Sequence, residues 1–201
     1  MADIFNLDNR FFRFVAKLTN LILLNILWII FSIPIITMGT STSAVYYVTL
    51  KMVKNEEGYI IKSFWKAFKQ NLKQGIIIEV ILLVVGIIIY ADIRYFLLKV
   101  NIFSYLFIPI LILVAMIYIF SFIFIFPMIA KFNDSITDLL KNPLAISLRH
   151  PVASISMTVL LIVMLYGFYT SVLIMVIFPF IAVSGYAYVG SILFKDILKV
   201  K

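Results

Sequence analysis

Two stretches constrain this chain more than anything else in it: GIIIEVILLVVGIIIYADIRYFLL, which opens at Gly75, and the Phe- and Ile-rich run from Ile102 to Pro127. Each exceeds the about 20 apolar residues that a helix needs to cross the hydrocarbon core, and only the connection KVN separates them. A backbone in lipid finds no water to bond, so runs of this kind are confined to helices that satisfy their own hydrogen bonds. The rest of the chain agrees, with 64% of its 201 residues hydrophobic and 13% charged, against roughly 45–50% and 25% in soluble domains. The expected architecture is an all-α polytopic membrane bundle forming one domain.

Four more apolar runs bring the expectation to about six spans, at 18–37, 38–53, 75–98, 102–127, 151–168 and 171–194. No small-residue cleavage site follows the first run, LTNLILLNILWIIFSIPIIT, so it reads as a retained span. The run at 38–53 is short and polar at its start.

Between spans, YIIKSFWKAFKQNLKQ has a helical period. Ile61, Phe64, Trp65, Phe68 and Leu72 fall on one face, and Lys62, Lys66, Lys69 and Lys73 on another. This predicts an amphipathic interfacial helix over 59–74, with its rings at the acyl boundary and its lysines toward anionic headgroups. The interval KFNDSITDLLKNPLAISLRH predicts one or two further interfacial helices over 134–150, with Asn142–Pro143 as a helix start.

With both termini cytoplasmic and six spans, fifteen of the 17 basic residues fall inside and only Arg94 and Lys99 outside, as the positive-inside rule requires. If the 38–53 helix did not cross, the basic residues would be divided between the two sides, so the asymmetry supports this short span.

Several polar residues stand out against this background. Glu79 is about 6 Å past Gly75 along a helix and has two readings, a structurally paired carboxylate or a proton- or ligand-coupled group. Asn25, about 10 Å into the first span, either hydrogen-bonds to another helix or lines a pocket. In IPIITMGTSTSAVYYV, the pairs Gly39/Ser43 and Thr40/Ala44 have the spacing of a tight helical hairpin. The same stretch also gathers Thr40, Ser41, Thr42 and Ser43 at a helix start, where free N–H groups and hydroxyls could meet a polar ligand, with Asn25 and Tyr46 as neighbours. Asp92 and Arg94 read as an interfacial anchor.

The absent chemistry is also informative. There is no cysteine and one histidine, so thiolate catalysis and Cys- or His-rich metal sites are not expected. His150 has no nucleophile partner in sequence, and nucleotide-binding and hydrolase signatures are missing. The expectation is a non-enzyme without cofactor, metal or nucleic-acid partner.

The order Asn25, Trp28, Pro34 and Thr37, followed by GTSTSAVYYVTLKMV, NEEGY and the spacing of Phe64, Phe68 and Asn71, resembles the YesL family of bacterial membrane proteins, whose function is unknown. The likeness is strongest over residues 1–75 and weaker toward KFNDSITDLLKNPLAISLRHP. It implies a multi-pass protein of the bacterial cell membrane. Such proteins are often encoded beside carbohydrate-uptake ABC transporters, which implies an accessory role in oligosaccharide uptake or a small transporter. In NEEGY, Gly58 directly follows Glu57, so the coupling pattern of an ABC permease is not met. The alternative is a scaffold or regulatory protein that docks a cytoplasmic partner or anionic lipid through Lys62, Trp65, Lys66, Lys69 and Lys73.

Overall fold

The computed structural model describes residues 10–56, 58–99, 102–132 and 134–198, which form seven helices and no strand. Glu57, Asn133, Lys199, Lys201 and the last two residues of the KVN connection lie outside the described residues. The helices are α1 (Arg10–Ser32), α2 (Met38–Val53), α3 (Ile60–Leu98), α4 (Ile102–Lys131), α5 (Ile136–Arg149), α6 (Pro151–Thr170) and α7 (Val172–Ile197). The all-α helical bundle expected from the sequence is what the chain forms. Five helices, α1, α3, α4, α6 and α7, are long and apolar enough to cross a membrane.

The sixth expected span, 38–53, has a different character. Helix α2 has only 16 residues, about 24 Å of rise, and ten of them are buried. It forms the centre of the bundle, packed against α1, α3, α4 and α7. Tyr46 of α2, Phe124 of α4 and Phe194 of α7 meet in one aromatic core, with ring centroids 4.7 Å apart for Phe124–Phe194 and 6.4 Å for Tyr46–Phe194. The hydroxyls of Thr49 and Ser191 pair at 2.8 Å between α2 and α7. A helix enclosed by other helices can carry this many hydroxyls because those of Thr40, Thr42, Ser43 and Thr49 bond to backbone or to another hydroxyl rather than facing lipid.

Helix α3 revises a second expectation. The amphipathic stretch over 59–74 is not a separate interfacial helix but the first four turns of α3, continuous through Gly75 to Leu98. Those turns run back along α2. The Thr40 hydroxyl donates to the Leu72 carbonyl at 3.4 Å, and a Cβ on Gly75 would stand 3.0 Å from the Cα of Thr40. The buried stripe is Ile60, Phe64, Ala67, Phe68, Asn71, Gly75, Ile78, Glu79 and Leu82, rotated from the predicted face, and Ile61, Trp65 and Leu72 remain exposed. Phe31 of α1 covers the aromatic positions, with ring centroids at 5.6 Å to Phe64, 5.2 Å to Trp65 and 5.0 Å to Phe68. Phe64 and Phe68 therefore face protein, not the acyl boundary.

Two contacts set the ends of the α1–α2 hairpin. A tight turn over Ile35–Thr37, held by the Thr37 hydroxyl donating to Phe31 and Pro34 carbonyls at 2.8 Å each, reverses the chain. At the open end, the Lys17 ammonium donates to the Asn55 side-chain oxygen at 2.9 Å. The hairpin thus begins and ends at one level. Lys17, Lys51 and Lys54 stay on the same side whatever depth the turn reaches, so the charge asymmetry does not depend on counting 38–53 as a span.

The second polar interval forms one helix, α5. It starts earlier than Asn142–Pro143, because Ser135 caps it by accepting from the Asp138 N–H at 3.2 Å. Pro143 sits buried inside α5, and the proline-at-start signal is used instead by Pro151 in α6. Gln74 of α3 donates to the Asp134 carbonyl at 2.6 Å. Ser154 of α6 donates to the Ser147 carbonyl of α5 at 2.8 Å, so α5 is pinned to the bundle at both ends.

Candidate functional site

A cavity of about 300 Å3 lies among α1, α2, α3, α4, α6 and α7. Its wall is almost wholly apolar. Trp28, Thr42, Tyr46, Glu79 and Tyr186 are the lining residues that carry a polar side-chain atom, and no lysine, arginine or histidine lines it.

Glu79 is the unusual member. It is only 6% exposed, and among the described residues no hydrogen-bond or ion-pair partner holds its carboxylate. It fits there because of what Gly39 lacks: a Cβ on Gly39 would come within 2.5 Å of Glu79 Oε2 and 2.8 Å of the Phe126 ring. The glycine of GTSTS is therefore the packing partner of the acid on α3. The paired-carboxylate reading has no support in these contacts.

The remaining candidates separate into two groups. Thr42 and Tyr46 line the cavity with Glu79; Trp28 Nε1 donates to Thr42 Oγ1 at 3.0 Å, and that hydroxyl donates in turn to the Met38 carbonyl at 2.8 Å. Asn25 does not line the cavity. Its amide, 1% exposed, donates to the Pro179 carbonyl at 2.7 Å and accepts from the Ser184 N–H at 2.9 Å, the interhelical role. Thr40 is packed on Gly75 and Leu72. Ser43 donates to the Thr40 carbonyl at 2.8 Å. The hydroxyls of Ser41 and Tyr46 are buried without a hydrogen-bond partner, and that of Tyr46 lies near Gly190, where a Cβ would come within 3.2 Å of it. The structure therefore assigns the GTSTS stretch partly to packing and partly to the cavity.

Sequence reasoning missed the aromatic wall from distant helices, Phe122 and Phe126 of α4 and Phe178 and Tyr186 of α7. In segments as rich in Phe and Ile as these, no local pattern separates a cavity-facing ring from a lipid-facing one.

The second candidate surface is the exposed side of α3. Lys62, Lys66, Lys69 and Lys73 are all exposed there, interleaved with Ile61, Trp65 and Leu72. The Lys69 ammonium sits 4.7 Å from the Trp65 ring centroid, a cation–π contact that holds both side chains at the surface. At the Asn55 end of the bundle, a shallow cavity of about 180 Å3 gathers Lys51, Lys54, Lys131 and Lys195 with Glu56. Among the described residues, no group of three or more His, Cys, Asp and Glu is placed to hold a metal ion.

These features define an integral membrane helical bundle with a half-open apolar cavity among its helices and, on α3, a basic face. Residues 21–93, which span the hairpin, the lysine-bearing turns and Glu79, match the family model described as Protein of unknown function, DUF624. This is the YesL family that the sequence resembles, and the match covers α1 from Leu21 onward, all of α2 and most of α3. No curated protein and no solved structure matched the chain in the comparisons made.

Proposed function

We propose that this chain is an accessory, non-enzymatic component of carbohydrate uptake in the bacterial cell membrane, one that docks a transporter subunit and does not itself carry free sugar. The observation that supports docking is the outer side of α3. Four lysines and three apolar side chains are exposed on one stretch of a helix whose opposite face is packed on α1 and α2. Exposed Trp65, with Ile61 and Leu72, supplies the apolar centre that a protein contact needs, with the lysines at its polar rim, where they suit an acidic partner.

The cavity argues against the carrier version of the reading. A saccharide presents many hydroxyls, and each one buried without a partner costs roughly 1–3 kcal/mol. The few polar side chains of this wall cannot satisfy them. The link to carbohydrate comes from the family resemblance and acts through a partner.

A second reading, in which Lys62, Lys66, Lys69 and Lys73 of the α3 surface bind anionic lipid, gains support from the separate Lys51, Lys54, Lys131 and Lys195 cluster at the Asn55 end. Affinity purification of the tagged chain in mild detergent, from cells growing on complex glycans, separates the two. The accessory reading expects permease or ATPase subunits to be recovered. Recovery of neither, with co-purified anionic lipid instead, contradicts it.

A further inference from the structure

We infer that the half-open cavity beside Glu79 is a binding site for a lipophilic organic molecule bearing a single positive charge, with Glu79 as its counter-ion. The inference is independent of the docking role of α3, because it rests on residues from the other side of that helix.

The charge of the occupant follows from Glu79. A carboxylate taken out of water costs several kcal/mol unless it is neutralised or paired, and no basic side chain lines this cavity. The acid is nonetheless 94% buried, at 6% exposure, and Gly39 leaves it the space it occupies. A proton would neutralise the acid without an occupant, whereas a cation in this ring-lined space would pair with it, and the amine-against-alcohol preference below separates the two.

The type of cation follows from the wall. An inorganic cation needs about six oxygen ligands, and one carboxylate with two or three hydroxyls does not supply them. Trp28, Phe122, Phe126 and Phe178 instead surround the space with rings, whose faces attract an organic ammonium and whose area buries its apolar body. An acyl chain would fill the volume and leave the carboxylate unpaired. At about 300 Å3 the cavity is at the lower end of the range for small-molecule sites, which limits the occupant to a compact molecule.

Intrinsic fluorescence provides the test. The chain has two tryptophans, so a Trp65→Phe background leaves Trp28, in the cavity wall, as the sole reporter. The purified protein in neutral detergent is titrated with amantadine, a compact protonated amine, and with adamantanol, its neutral twin. The expected result is a saturable change with the amine at about tenfold lower concentration than with the alcohol, the size of one charge-assisted contact. Glu79→Gln should erase that preference, and Ala182→Leu, which adds bulk to the α7 wall, should weaken both compounds. Equal binding of the two compounds, binding of neither, or a preference that survives Glu79→Gln overturns the proposal. Should Glu79→Gln fail to fold, the wild-type preference and the Ala182→Leu result decide alone, and unchanged amine binding in Ala182→Leu counts against it.

Discussion

Gly75 and Thr40 bring α3 and α2 together at their backbones, for a Cβ on Gly75 would lie 3.0 Å from the Cα of Thr40. Backbone atoms cannot step aside as a side-chain tip can, so Gly75→Ala must push the two helices apart. A loss of about 1–3 kcal/mol is expected, as for other overpacked sites, read as a lower thermal midpoint in detergent. Gly58→Ala has nothing within 4 Å and should leave the midpoint unchanged.

Asn25→Leu removes both bonds of one amide to α7. The Pro179 carbonyl and Ser184 N–H would lose this partner in a buried setting, where leaving a group unpaired costs roughly 1–3 kcal/mol. The midpoint should fall by a similar amount to that of Gly75→Ala. Because Asn25 does not line the cavity, amine binding by the folded fraction should persist.

Much of the bundle could be read from the sequence, and the exceptions have identifiable causes. Long apolar runs mark α3, α4, α6 and α7 because lipid permits little else there. Helix α2 could not be classed from its own 16 residues; its burial is set by the neighbouring α3 together with α4 and α7, which lie far along the chain. The amphipathic pattern of residues 60–74 located four exposed lysines, yet misjudged the buried face. Ala67, Asn71 and Gly75 are buried there through small size and close packing, so a count of large apolar residues passes over them. The site was half legible. Glu79 stood out as a polar group in an apolar run and Tyr46 as a neighbour of GTSTS, and the GTSTS cluster spread to different neighbours because successive helix residues point about 100° apart. The rings that complete the cavity carried no local signal.

The hairpin geometry predicts sidedness. Because Lys17 and Asn55 are hydrogen-bonded, single cysteines at these two positions, in a chain with none of its own, should react with a membrane-impermeant reagent from the same side. A cysteine at Lys69 should join them and one at Lys99, at the far end of α3, should label only from the opposite side. Labelling of positions 17 and 55 from opposite sides would contradict the fold.

The docking role of the α3 surface is tested most directly by replacing Lys62, Lys66, Lys69 and Lys73 together with glutamine and measuring oligosaccharide uptake. All four side chains are exposed, so membrane insertion and thermal midpoint should match the parent. Single exposed charges contribute little, but four together set orientation and encounter with an acidic partner. Uptake and recovery of transporter subunits are therefore expected to fall by the order of tenfold. Unchanged uptake and unchanged recovery in a normally inserted variant would contradict the account.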